Sequence, residues 1–267
     1  MNFDLGAVRA FLLDMDGTIY LGDRLLPGAQ EFLTRLKETN RPYLFFTNNS
    51  SRDAAEYAEK LTRLGVATQP EQVLTSGQAT VDYLTRQLAA QKVFALGTPS
   101  FEREIVAGGL ALVEQGAQPS AGRPDAVVLG FDMTLTYDKV RWACHWILEG
   151  VPFVASHPDL VCPTPAGPIP DCGAMTAMIT AATGVEPRVI GKPYPAMAQA
   201  GLHRLGVVPQ DTAIVGDRLY TDMAMGHQAG LHTILVLSGE ATQADVDQAH
   251  PAPDLVVPGV GQLIAGL

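Results

Sequence analysis

Five short runs in this chain are apolar or β-branched from end to end instead of alternating with polar residues: Ala10 to Leu13, Tyr43 to Phe46, Val189 and Ile190, Thr212 to Val215, and Thr233 to Val236. A strand with one wet face alternates, so unbroken runs belong to strands covered on both faces, as in a parallel sheet layered between helices. The stretches between them supply those helices. Gly28 to Thr39 carries Ala29, Phe32, Leu33 and Leu36 on one stripe, and Ser51 stands where it would cap a second helix with Asp53 in its first turn. Pro195 to Leu205 and Thr221 to Ala229 repeat the pattern, the latter with Thr221 as N-cap and Gly230 as stop. The expected class is α/β.

The stretch between Thr47 and Lys192 is far longer than the dozen or so residues that a parallel crossover needs. It has its own strand runs, Val93 to Leu96, Ala126 to Leu129 and Pro152 to Ala155, and its own helical patterns, Tyr137 to Leu148 and Gly173 to Thr183. An inserted α/β domain over residues 79–186 is therefore expected, leaving 1–78 and 187–267 as the core. Trp142 and Trp146, spaced i and i+4, are expected to pack the core of the insert.

The chemistry is written at the ends of the runs. Asp14-Met15-Asp16-Gly17-Thr18 follows Phe11-Leu12-Leu13, Thr47-Asn48-Asn49 follows Tyr43 to Phe46, Lys192 follows Ile190-Gly191, and Asp217 follows Ile214-Val215-Gly216. Ligand sites of open parallel sheets gather beyond the carboxyl ends of the strands, so two carboxylates, a hydroxyl, a cation and a third carboxylate are expected to converge. Taken singly, each has a plainer reading: Asp-x-Asp-Gly as a turn, Thr47 to Ser51 as a capped loop, Lys192 as a solvated cation, Asp222 as a partner of a helix dipole. Their joint placement favours a site.

Composition narrows the partners. With 18 basic and 28 acidic residues the net charge is −10, which repels nucleic-acid polymers and anionic membranes but leaves a small anionic ligand possible where a cation reverses the local potential. Three cysteines without C-x-x-C spacing suit free thiols, and the first residues resemble neither a signal peptide nor a membrane span. A cytoplasmic protein is expected.

The strings DMDGTIY at 14–20, TNNSS at 47–51, GKP at 191–193 and GDRLYTD at 216–222, in that order, resemble the haloacid dehalogenase superfamily, in its NagD-like, p-nitrophenylphosphatase-type branch. The insert, with SHPD at 156–159, resembles that branch's C2-type cap. The resemblance implies a Rossmann-like parallel-sheet core with an inserted α/β cap, and a Mg²⁺-dependent phosphatase that acts on a small phosphate ester through an aspartyl phosphate. Asp14 would be the nucleophile and Asp16 the general acid/base. Asp14, the main-chain carbonyl of Asp16, and Asp217 would hold Mg²⁺. Thr47, Asn48, Asn49 and Lys192 would hold the phosphoryl group, with Asp222 orienting Lys192 or a metal-bound water. The cap would act as a lid, with His157 and the loop from Cys162 to Gly173 as candidates for specificity, and a homodimer is implied. A phosphomutase, or a phosphate sensor without catalysis, remains open at this point.

Overall fold

The computed structural model describes residues 3–113, 122–164 and 166–267. The chain divides into two compact units: residues 1–47, 54–74 and 192–267 form the first, and residues 48–53 and 75–191 the second. This division differs from the expected 79–186. The chain after Thr47 turns into the second unit for six residues before returning, and the second unit runs on to Gly191.

The first unit is built on a six-stranded sheet in the order Leu255–Val257, His232–Val236, Thr212–Gly216, Ala10–Asp14, Tyr43–Thr47, Val73–Thr75. Ala10–Asp14 is central and runs parallel to both neighbours, with Leu13 opposite Val215 on one side and Phe45 on the other. Phe11, Leu12 and Leu13 are fully buried, as an unbroken apolar run requires. Helix Ala29–Glu38 covers one face: Phe32, Leu33 and Leu36 join Phe11 and Leu13 in one cluster, with the Phe11 and Phe32 rings 6.0 Å apart and edge to face. Each such side chain contributes roughly 1.5–3 kcal/mol by leaving water. The strand order reverses between Ala10–Asp14 and Thr212–Gly216, which is where a doubly wound sheet opens a ligand crevice.

The second unit has a five-stranded sheet in the order Arg188–Val189, Phe153–Ala155, Ala126–Leu129, Lys92–Leu96, Ala111–Leu112, again parallel throughout. Trp146 is buried in its core and Trp142 packs against that cluster. Helices Tyr137–Leu148 and Cys172–Thr183 fall where the apolar periodicity put them.

Three local expectations need correction. The run at Val189 and Ile190 is not a strand of the first sheet: Arg188–Val189 pairs with Phe153–Ala155 in the second. An apolar run reports burial but not which of two sheets does the burying. Ser51 does not cap the second helix, which begins at Ala54; its main-chain N–H and its hydroxyl both donate to Asn49 Oδ1 instead. Thr221 is not an N-cap either, because Leu219–Met223 forms a π-helical turn that leads straight into Ala224–Ala229. Among the described residues no helix is long and apolar enough to cross a membrane.

Candidate active site

Asp14 ends the central strand of the first unit, half-buried. Lys192 Nζ donates to Asp14 Oδ1 and, at 2.7 Å, to Asp222 Oδ1. Asp222 is fully buried within the π-helical turn, and its second oxygen accepts from Thr221 Oγ1 at 3.3 Å. Asp217 follows the strand Thr212–Gly216, on the other side of the strand-order reversal. One oxygen each from Asp14, Asp217 and Asp222 lies within 4.8 Å of the other two.

Asp217 is held from two sides. Its Oδ2 accepts the Glu240 N–H at 2.8 Å, while Gly17 and Gly239 approach so closely that a Cβ on either would collide with that carboxylate. Gly17 also has φ 82°, and its carbonyl accepts from Ser238 Oγ at 2.7 Å. Residues 238–240 were not singled out from the sequence, although Ser-Gly-Glu follows an apolar run in the same way as the recognised motifs.

The electrostatics are those of too many acids for one lysine. Burial raises the Asp14 carboxyl well above the ordinary range, and Asp222 and Asp217 add to the rise against the opposing Lys192. Burial and Asp222 likewise raise Asp217. Burial pulls the Lys192 ammonium down, but Asp14 and Asp222 outweigh it and hold the charge firmly. Asp14 without a cation is therefore a weaker acid than an ordinary carboxylate. Asp16 reaches solvent; partial desolvation raises it, opposed by the fields of Lys60 and Arg218. Lys60 itself lies over the Tyr20 ring, 3.9 Å from its centre.

A divalent cation fits this cluster. The donors are all carboxylate oxygens, the set that hard cations prefer, and Asp217 Oδ1 is buried with no hydrogen-bond partner. Asp222 is committed to Lys192 and Thr221, which leaves Asp14 and Asp217 as the side chains able to reach an ion. The Asp16 side chain is not in the cluster.

The structure thus brings Asp14, Lys192, Asp217 and Asp222 together. Thr47 ends the strand beside Asp14, one residue beyond Phe46, the partner of Asp14 in register. Asn48, Asn49 and His157 belong to the second unit. Asn48 is buried there and donates to the Asp159 carboxylate at 3.2 and 3.3 Å, and Asn49 spends its side-chain oxygen on Ser51. His157 does not present its ring to a ligand: it is fully buried and both ring nitrogens are hydrogen-bonded within the unit.

Comparison with known proteins gives the family. The family described as haloacid dehalogenase-like hydrolase matches residues 11–111, and a second HAD-hydrolase-like family matches residues 189–263. The chain belongs to the haloacid dehalogenase-like hydrolases. Within this family it is similar to an acid sugar phosphatase of Staphylococcus aureus, 33% identical over 97% of this chain and 98% of the relative. It also resembles the crystal structure of a 4-nitrophenylphosphatase from Thermotoga maritima, with 43% identity, 98% coverage of both chains and a TM-score of 0.90. NagD from E. coli K-12 superposes with a TM-score of 0.88 at 30% identity, covering 96% of this chain and 98% of that one. The chain is an enzyme, a haloacid dehalogenase-type phosphatase of the NagD-like branch.

Proposed function

We propose that this enzyme is a Mg²⁺-dependent phosphomonoester hydrolase that works through an aspartyl phosphate on Asp14. The observation that carries the reading is the Asp14–Lys192–Asp222 chain beside the unpartnered Asp217 oxygen. With Lys192 on Oδ1, the other Asp14 oxygen attacks phosphorus as the bond to the leaving oxygen breaks. Asp16 gives that oxygen a proton, then takes one from the water that displaces Asp14 from phosphorus and releases phosphate. The raised Asp16 carboxyl suits a group that must hold a proton part of the time. Lys192 neutralises charge on the nucleophile and the phosphoryl group, and Asp222 fixes its position. Thr47 and the peptide N–H that follows it hold phosphoryl oxygens.

Asp14, Asp217 and the Asp16 main-chain carbonyl would hold Mg²⁺, which when bound supplies the neutralisation that lets a carboxylate approach a phosphate dianion. The substrate is a small phosphorylated metabolite. Sugar and aryl phosphates come first, because the names of the similar phosphatases point to them, and nucleotide monophosphates follow. Phosphate release from such a panel, with and without Mg²⁺, tests the reading. Turnover that needs the cation and vanishes in Asp14→Asn is expected. A wild-type protein that binds phosphate but releases none from any ester would make it a sensor instead.

A further inference from the structure

Deep in the second unit, Ser76, Ser156 and His157 have no exposure and Asp171 has 4%. His157 Nε2 lies 2.9 Å from Asp171 Oδ1, and that same oxygen receives the Cys172 N–H as the N-cap of helix Cys172–Thr183. A carboxylate only accepts, so Nε2 carries a proton; in the tautomer that carries its single proton there, Nδ1 accepts. Its donor is Ser156 Oγ at 2.9 Å. Ser156 then accepts from Ser50 Oγ at 3.0 Å, and Ser50 accepts the Phe131 N–H at 2.9 Å. The direction of every hydrogen bond from Phe131 to Asp171 follows from that one tautomer.

Two branches leave this chain. Ser76 Oγ stands 3.5 Å from His157 Nδ1 and donates to the Asn48 carbonyl. The Ser156 carbonyl accepts the Gly191 N–H at 2.7 Å. Gly191 fits so tightly that a Cβ there would stand 2.6 Å from the Ser156 carbonyl oxygen, 2.7 Å from Asn48 Oδ1 and 2.8 Å from His157 Cβ. The segments fastened in this way are the ones by which the chain leaves the second unit. Asn48 is peptide-bonded to Thr47, Gly191 to Lys192, and Ser76 lies two residues beyond Leu74, where the chain re-enters the second unit.

We propose that His157 is a positioning residue: through Ser156, whose hydroxyl meets Ser50 and whose carbonyl holds Gly191, it fixes the backbone at Ser50 and Gly191, while Ser76, packed against its ring, holds Asn48, and thereby it sets the peptide N–H after Thr47 and the approach of the chain to Lys192. This rests on the phosphatase reading above, in which those two places hold the phosphoryl group. It replaces the role of His157 as a substrate contact. A buried polar chain often adds little over apolar packing of the same volume, so selecting one backbone arrangement is the use that these hydrogen bonds suit best. Small displacements of groups that hold a reacting phosphate cost as much as a hundredfold in rate.

The test uses His157→Leu, His157→Asn, Ser76→Ala and the His157→Leu/Ser76→Ala double variant, each shown to be folded by circular dichroism at the assay temperature. Hydrolysis of p-nitrophenyl phosphate, inhibition by inorganic phosphate and the Mg²⁺ concentration for half-activation are measured. His157→Leu is expected to lower kcat/KM and weaken phosphate inhibition by about 10- to 100-fold. Half-activation by Mg²⁺ stays within about twofold, because Asp14 and Asp217 belong to the other unit. His157→Asn, which keeps an acceptor for Ser156, restores most of the loss. The double variant is no worse than about the poorer single one, since both act through the same segment.

A folded His157→Leu protein with wild-type phosphate inhibition, or single effects that multiply in the double variant, would overturn the proposal. Ser76→Ala carries the test alone if the histidine variants do not fold. A wild-type enzyme without cation-dependent turnover would remove the phosphatase reading and this proposal with it, whereas an active wild type with unaffected variants would remove this proposal only.

Discussion

Both units present the same topological opportunity, and only one turns it into an acidic cluster with an unfilled bond. In the first sheet the strand order reverses between Ala10–Asp14 and Thr212–Gly216; in the second it reverses between Lys92–Leu96 and Ala126–Leu129. Beyond the second reversal Asp132 and Lys139 form a buried pair at 2.8 Å. Lys139 also donates to Thr134 Oγ1 and the Gly97 carbonyl, and Asp132 accepts from the Thr134 N–H and hydroxyl. One acid meets one base and the bonds close. At the first reversal three acids meet one lysine, and Asp217 Oδ1 has no partner. Strand ends create the place, but the charge left over decides whether a ligand is required.

The contrast is sharpest in a pair of isosteric changes. Asp14→Asn should lower phosphate release by about 10³-fold or more with the fold intact. Asp132→Asn should leave turnover per folded molecule near wild type. A large activity loss in the second variant with its stability unchanged would erase the distinction.

Lys139→Met strands the Asp132 charge and should cost about 3–5 kcal/mol in denaturant unfolding, much of it recovered when Asp132 is also made apolar. Equal damage in the single and double variants would mean that packing, not charge balance, governs that edge. Mg²⁺ at about a hundred times its dissociation constant should stabilise the protein by roughly 2.7 kcal/mol, read as a rise in Tm. Asp217→Asn should abolish that rise and Lys139→Met preserve it; the reverse pattern would place the cation elsewhere.

The smallest effect concerns Asp125, an exposed residue of the second unit whose carboxyl is held below its ordinary range by the N–H groups of Gln91 and Lys92. A depressed native value stabilises above the unfolded value and is lost as the pH falls through the native one. The stability gap between wild type and Asp125→Asn should therefore shrink on acidification below the ordinary carboxylate range. A gap that grows instead would show that these bonds do not favour the ionised form.

The sequence disclosed the site more fully than the path to it. The strand-end places of Asp14, Thr47 and Asp217 were legible because a polar residue ending an unbroken apolar run has one destination in a parallel sheet. Lys192 was placed correctly in the cluster for a partly wrong reason, since the strand before it belongs to the second sheet. The π-helical turn at Leu219–Met223 was not legible, because Thr221 and Asp222 are equally good first-turn residues of an α-helix. His157 was a specificity candidate through the resemblance alone, and nothing local in the sequence marks it as buried; the groups that enclose it include Ser76 and Asp171, which are distant in sequence.

The most direct test of Asp14 as nucleophile is acid quenching during turnover of a ³²P-labelled ester with Mg²⁺, followed by peptide mapping. Label on the peptide containing Asp14, absent in Asp14→Asn, is the predicted result. Rapid turnover with no protein-bound label at any quench time, or label on another residue, would contradict it.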